Sequence, residues 1–316
     1  MAEKIKIGIS SCLLGDKVRY DGNHQLDRFI TDTLGQYFEF IPICPEVEIG
    51  LSIPREPMHL FGSAETPRLL TIKTGIDYTE RMSTWAERKL KKLEKENLCG
   101  FIFKSRSPSS GIRSVKVYTP SGGVTKTGKG LFGGAFIKHF PLIPVEDDGR
   151  LHNPRFRENF IERMFVLKRW QKLKKKGASM KGLIDFHTDH KLLIMAHSPK
   201  HYSLLGTLIA NTKKNKRENL FSEYIRNLME GLKLIATVKK NTNALQHIQG
   251  YFKKHLTSDE KQELLGTIES YRKEFIPLVV PVTLLNHYVR KFNISYLERQ
   301  YYLKPHPVEL MLRNHV

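Results

Sequence analysis

The chain is 316 residues long, enough for two domains of ordinary size that each bury a core. No apolar run approaches the roughly 18 residues a membrane span needs, and Met1 to Lys6 is too charged to open a signal peptide, so the expectation is a cytoplasmic protein. Lys and Arg number 52 against 32 Asp and Glu, a net charge of +20, while three cysteines without a CxxC pair exclude a disulfide framework or a zinc ribbon.

Residues 4 to 10 alternate into a first strand, and the glycine-bounded loop Gly15 to Gly22 sets Arg19, Tyr20 and Asp21 near its exit. Leu26 to Leu34 has helical spacing, and a second strand covers Phe38 to Ile43. After Cys44 the segment PEVEIGLSIPREP carries too much Pro and Gly for regular structure and reads as a loop over a sheet edge. Within it Arg55 is placed either to clamp an anion or to pair with Glu46 or Glu48. Asp77 to Asn97 is a helix with a polar start and Lys-rich final turns that suit its dipole. Cys99 precedes a third strand and so belongs to the far end of it, as a structural residue. That strand, from Phe101, breaks into Lys104, Ser105, Arg106, Ser107, Pro108, Ser109, Ser110 and Gly111. Val115 to Tyr118 is a fourth short strand, and Gly128 to Phe140 a helix. The fold expected for residues 1 to 150 is α/β, an open and mainly parallel sheet with flanking helices. The three strand exits then share one edge, where open sheets bind ligands.

Residues 151 to 316 read as an all-α domain, with helices over 154–176, 181–196, 200–212 and 217–238 and shorter ones beyond. The charge is unevenly divided: +4 in residues 1 to 150 and +16 in residues 151 to 316. Such confinement points to a polyanion, nucleic acid first and an anionic membrane surface second. The densest basic run, Lys168 to Lys181, includes Lys172, Lys174, Lys175 and Lys176 and reads equally as a solvated linker or a strip of phosphate contacts. His187, His190 and His197 fall near one helical face, which permits a metal, but without an HExxH motif core packing or phosphate contact is the stronger reading. His201 and Tyr202 point different ways and make a weak stacking pair.

Cysteines scattered through such a chain are commonly inert core residues. Two of them at neighbouring strand exits are also compatible with soft-metal binding, and three thiolates on three loops leave one iron of a four-iron cluster open as a Lewis acid. Glu46 is spaced for proton transfer, although capping or pairing with Arg is the commoner fate of such a carboxylate. Ser107 and Ser109 add hydroxyls and Lys104 a charge. On residues alone this is a sheet-edge site of open use.

The segments Ser11-Cys12-Leu13-Leu14-Gly15 with Arg19-Tyr20-Asp21-Gly22, Cys44-Pro45-Glu46-Val47 with Pro54-Arg55, and Lys104-Ser105-Arg106-Ser107-Pro108-Ser109 with Gly111 closely resemble the TudS-like thiouracil desulfidase family over about residues 5 to 145. Phe186 to Lys191, Ala196-His197-Ser198, Gly250 to Lys254, Pro281 to Tyr288 and Pro305 to Asn314 resemble the YbgA-like domain. The pair looks like a RudS-type fusion, whose activity is removal of sulfur from 4-thiouridine in tRNA. The resemblance implies a 4Fe-4S cofactor with Cys12 and Cys44 as two of three ligands. Ser110 stands where the family's Ser-Pro-Ser-Cys-Gly motif has the third cysteine, as an engineered change, a natural serine ligand or the mark of lost chemistry. By the resemblance Glu46 and Ser107 match residues that assist substrate binding and proton transfer, and Arg19, Tyr20, Asp21, Arg55 and Lys104 are the candidates for contacting substrate or RNA. His187, His190 and Lys191 of the second domain, with the Lys172 to Lys176 run, are the candidates for contacting RNA. Two alternatives stand beside this reading: an RNA-binding protein without catalysis, and a desulfidase of free thiolated bases, which the basic second half disfavours.

Overall fold

In a computed structural model that describes residues 4–211 and 217–315, the first strand, β1 (Ile5–Ser10), is buried on both faces, as the central strand of a covered parallel sheet must be. It pairs in parallel with β2 (Phe38–Ile43) on one side and β5 (Gly100–Phe103) on the other, and β5 pairs in parallel with β8 (Val145–Asp147). The sheet order is β2-β1-β5-β8. The chain thus leaves β1 first to one side and returns later on the other, which puts a topological switch at the C-terminal ends of β1 and β5.

A second sheet of order β4-β3-β6-β7 lies in the same unit, built from β3 (Met58–Gly62), β4 (Pro67–Thr71), β6 (Val115–Tyr118) and β7 (Val124–Gly128). Only β6 is expected from the sequence. Its sequence VKVY alternates apolar and polar residues, whereas MHLFG, PRLLT and VTKTG carry no such alternation. The segment expected to be loop after Cys44 also opens with one helical turn, α1 (Pro45–Glu48).

The expected helix at 77–97 is α2 (Thr79–Leu93), which tightens into a short 3-10 turn and stops at Asn97 in the left-handed conformation. Its buried residues Met82, Trp85, Ala86, Leu90 and Leu93 recur at helical spacing. α3 (Leu131–His139) is shorter than expected because Gly128 closes β7. The stretch 26–34 forms a wide π-helical turn, Phe29–Thr33, followed by a 3-10 turn. Phe101, Phe103, Phe132 and Phe136 with Trp85 form the aromatic centre of this core, the first two stacked at 3.9 Å. A last turn, α4 (Asp148–Leu151), follows β8.

The chain divides into units at Asn153/Pro154. The second unit is helical: α5 (Pro154–Lys175), α6 (Met180–His197), α7 (Pro199–Ala210), α8 (Arg217–Lys233), α9 (Val238–Gly250), α10 (Ser258–Arg272), α11 (Val279–Phe292) and α12 (Ser295–Glu298). Residue 212, expected to end the third of these helices, lies outside the described residues. The helix expected over 217–238 is α8, which stops at Lys233, and Thr237 then caps the start of α9 with its side chain. Among the described residues no helix is long and apolar enough to cross a membrane.

Candidate active site at the strand exits

Each exit of the parallel sheet delivers a different chemistry to one place. After β1 the chain makes a 3-10 turn, Ser11–Leu14, that carries Cys12. After β2, Cys44 stands immediately before α1. After β5 comes the loop Lys104 to Ser110. A cavity of about 230 Å³ is lined by Cys12, Cys44, Glu46, Ser107 and Ser110, and also by Arg19, Tyr20, Arg55 and Lys104. Asp21, expected at the same site, does not line it: its carboxylate turns back to Arg19 at 3.5 Å and accepts from the Asn23 N–H.

A directed hydrogen-bond chain crosses the cavity wall. The Ser110 N–H donates to Ser107 Oγ at 3.2 Å, the Ser107 and Ser109 hydroxyls lie 3.0 Å apart, and Ser109 Oγ donates to Glu46 Oε1 at 2.8 Å. A carboxylate can only accept, so the Ser109 proton is committed to Glu46 and Ser107 must donate to Ser109. The second oxygen, Oε2, accepts from both Arg55 Nε, at 2.8 Å, and Arg55 Nη2. Arg55 Nη2 also donates to the Val18 carbonyl at 2.9 Å. Arg55 therefore realises the pairing alternative, its guanidinium holding Glu46 while it still lines the cavity.

Asp148 is a functional neighbour that the sequence reading missed. It accepts from Lys104 Nζ and from the Ser105 N–H, each at 2.6 Å. Burial pushes its carboxyl up, but Lys104 and the Ser105 N–H outweigh that and hold it below the ordinary carboxylate range. Its signal was present in Asp147-Asp148 at the fourth strand exit, β8, which that reading treated only as a return to the sheet.

Burial, and then the charge of Cys44, push the Cys12 thiol up to about 11; burial likewise raises Cys44. Both stay protonated near neutrality until a metal displaces the protons. Cys44 Sγ meanwhile rests 3.9 Å from the Val18 carbonyl. Ser11 also lines the cavity, and its Oγ is buried without a hydrogen-bond partner. Among the described residues no group of three His, Cys, Asp or Glu side chains converges to hold a metal ion, but the cavity does bring together two soft donors, Cys12 and Cys44, whose chemistry suits iron–sulfur binding, with Ser110 on the third strand exit. Cys99 is fully buried at the opposite end of β5.

The loop is seated by two glycines. A Cβ on Gly130 would stand 2.6 Å from the Ser109 carbonyl carbon, and one on Gly133 would stand 2.5 Å from Ser110 O. Backbone approaches backbone where no side chain fits, and α3 begins directly beneath.

In the helical unit Lys172, Lys174, Lys175 and Lys176 are exposed on the last turn of α5 and just beyond. His187 and His190 are buried, which corrects their assignment to RNA. His187 Nδ1 is 3.1 Å from Tyr224 Oη, and His190 is stacked on Phe186 at 4.0 Å with its Nδ1 2.7 Å from the Phe186 carbonyl. Lys191 is half-buried with its ammonium over the Tyr202 ring. His197 bonds Glu162 and the Leu234 carbonyl, so the three histidines serve three separate packing roles.

A family model described as 2-thiouracil desulfurase matches residues 7–148, and one described as a protein of unknown function, DUF1722, matches residues 191–307. The uncharacterized protein YbgA of Escherichia coli K12 is 32% identical over 161 residues, 51% of this chain and 95% of that protein. The uncharacterized protein YbbK of Bacillus subtilis 168 is 32% identical over 109 residues, 33% of this chain and 71% of that protein. Among solved structures, the [4Fe-4S]-dependent thiouracil desulfidase TudS aligns at 31% identity over 47% of this chain and 94% of its own, with a TM-score of 0.39.

Proposed function

Because the chain belongs to the 2-thiouracil desulfurase family and carries a DUF1722 region behind that domain, we propose that it hydrolyses 4-thiouridine in tRNA to uridine and releases sulfide, in the cytoplasm. The observation that carries the reading is the convergence of Cys12, Cys44, Glu46, Ser107 and Ser110, far apart in sequence, on one cavity. Cys12 and Cys44 would hold a 4Fe-4S cluster with the Ser110 oxygen at the third contact. When bound, the cluster supplies an open iron as a Lewis acid for the substrate's sulfur.

The protein's own residues do the rest. Arg55 fixes Glu46 from one side and Ser109 from the other, so the carboxylate is held at a known point on the cavity wall. The Ser107–Ser109–Glu46 chain gives a path by which a proton from attacking water reaches the carboxylate. The carbon exchanges its bond to sulfur for one to the water oxygen, and sulfur departs with the bonding electrons as hydrogen sulfide. Oxidation states are unchanged, and no reductant is consumed. Lys104, held by Asp148, places a positive charge beside the substrate. The exposed lysines of the helical unit would supply affinity for tRNA through its phosphates.

The test is anaerobic reconstitution, iron and acid-labile sulfide analysis, and then assay of sulfide release from 4-thiouridine-containing tRNA and from free 4-thiouracil. Release from tRNA supports the reading. Release from the free base alone moves the substrate to free thiolated bases. A reconstituted protein that binds tRNA but turns over neither substrate supports the second reading, favoured by Ser110: an RNA-binding member without catalysis.

A further inference from the structure

The outer face of the second sheet carries a groove of about 560 Å³ whose residues have no role in the chemistry above. The pleat explains how it arises. Leu60 of β3 and Val117 of β6 are paired and buried in the core. Their neighbours His59 and Tyr118 therefore face the other way. The two rings meet edge to face at 5.1 Å, and Tyr118 remains 37% exposed, with Ile72 exposed beside them. Lys116 and Lys126 flank the rings, and Arg106 closes one end. No carboxylate lines the groove among the described residues.

Arg106 also lines the catalytic cavity, as does Pro108, so groove and cavity share a wall. Arg106 has a φ of 60°, a left-handed conformation unfavourable to any residue with a Cβ, directly between Ser105 and Ser107. Rings on an exposed sheet with cations around them are what unpaired nucleotides require: every base has a face to stack, and every phosphate seeks a cation.

We propose that this groove is the docking platform for the single-stranded nucleotides that flank the thiolated nucleoside, holding the RNA strand as that nucleoside enters the cavity. This rests on the RNA-substrate reading above. It adds that the α/β unit itself grips the strand, whatever the helical unit contributes.

The experiment measures binding of the full-length protein to a short single-stranded oligoribonucleotide across a salt series, with the chain's oligomeric state followed alongside. Tyr118→Ala should weaken binding by roughly 5-fold or more with the salt slope unchanged, and Tyr118→Phe should restore it, because stacking needs the ring and not the hydroxyl. Lys116→Gln and Lys126→Gln should each lower the slope of log affinity against log salt by about 0.7. The proposal is overturned if wild type binds the oligonucleotide but Tyr118→Ala binds as well as Tyr118→Phe and the lysine variants keep the slope. It is equally overturned if these changes alter only self-association, which would make the groove a contact between copies. A wild-type protein that binds no RNA at all sinks both this proposal and the tRNA substrate, whereas desulfidation of tRNA by a Tyr118→Ala protein with undiminished affinity sinks this one alone.

Discussion

Replacing Ser110 by cysteine tests whether the identity of one atom at the third strand exit limits the site. The loop that carries it is fixed by Gly130 and Gly133, and Ser110 is only 5% exposed, so a sulfur enters where the oxygen was. To ligate iron either group must lose its proton. In the same cavity the Cys12 thiol is pushed up to about 11, so releasing a comparable proton at pH 8 costs about 4 kcal/mol. A hydroxyl as weakly acidic as water costs several kcal/mol more in the same cavity, because the burial that raises the thiol raises it too. An oxygen–iron bond returns part of that difference, and each roughly 1.4 kcal/mol left over is tenfold in cluster retention, so a gain of about 10-fold or more is expected. Ser110→Cys should therefore raise iron and acid-labile sulfide per chain and the desulfidation rate together, with Ser110→Ala no better than wild type. Iron content is read by colorimetry after anaerobic desalting, and turnover by sulfide release. Equal iron and equal turnover in wild type and Ser110→Cys would refute the argument and remove position 110 from the ligand set.

Glu46→Gln keeps the shape but cannot take a proton, and should lower desulfidation by roughly 100-fold or more with iron content unchanged, as measured by initial rates. Gly130→Ala forces a Cβ against the Ser109 and Ser110 backbone and should cost about 1–3 kcal/mol, read as a lower melting temperature together with weaker iron retention. In the helical unit burial lowers His190 to about 3 and His187 to about 4. Their folded values lie below the ordinary 6.5, so their contribution is complete above that pH and is lost as pH falls from 6.5 toward 3, by up to about 1.4 kcal/mol per pH unit for each; His190→Phe should flatten that acid limb in denaturant titrations. Neutralising Lys172, Lys174, Lys175 and Lys176 together should weaken tRNA binding most at low salt and leave turnover of free 4-thiouracil intact.

The parallel sheet and its three exits were legible because apolar runs that stop at Ser, Cys or Pro are local signals. Those exits placed Cys12, Cys44, Glu46, Ser107 and Ser110 along one edge, while their roles rested on the family resemblance. What was not legible is what chain entropy and length conceal. The strands β3 (MHLFG), β4 (PRLLT) and β7 (VTKTG) lack the apolar–polar alternation that β6 (VKVY) shows, so the second sheet and its groove were invisible. Arg55 was left with two fates in the sequence, and only the fold could show its pairing with Glu46. In α6 the run from Leu192 to His197 is buried without interruption, so helical spacing places His187, His190 and His197 relative to one another without revealing which side meets water.

The geometry of the β5 exit does not depend on the side chain at position 110. Its hydrogen bonds use the Ser107 and Ser109 hydroxyls and the Ser110 backbone N–H, and its packing uses the backbone against Gly130 and Gly133. A serine and a cysteine are thus nearly equivalent to the fold while being far apart as iron ligands. Folding preserves the relay to Glu46 whichever residue is present, so the same cavity presents proton-transfer groups to substrate with or without a third thiolate. Selection on stability alone would leave position 110 free to change, and only a requirement for cluster retention would hold a cysteine there. Cluster retention at this site is therefore expected to turn on one atom, in a loop whose shape that atom does not set.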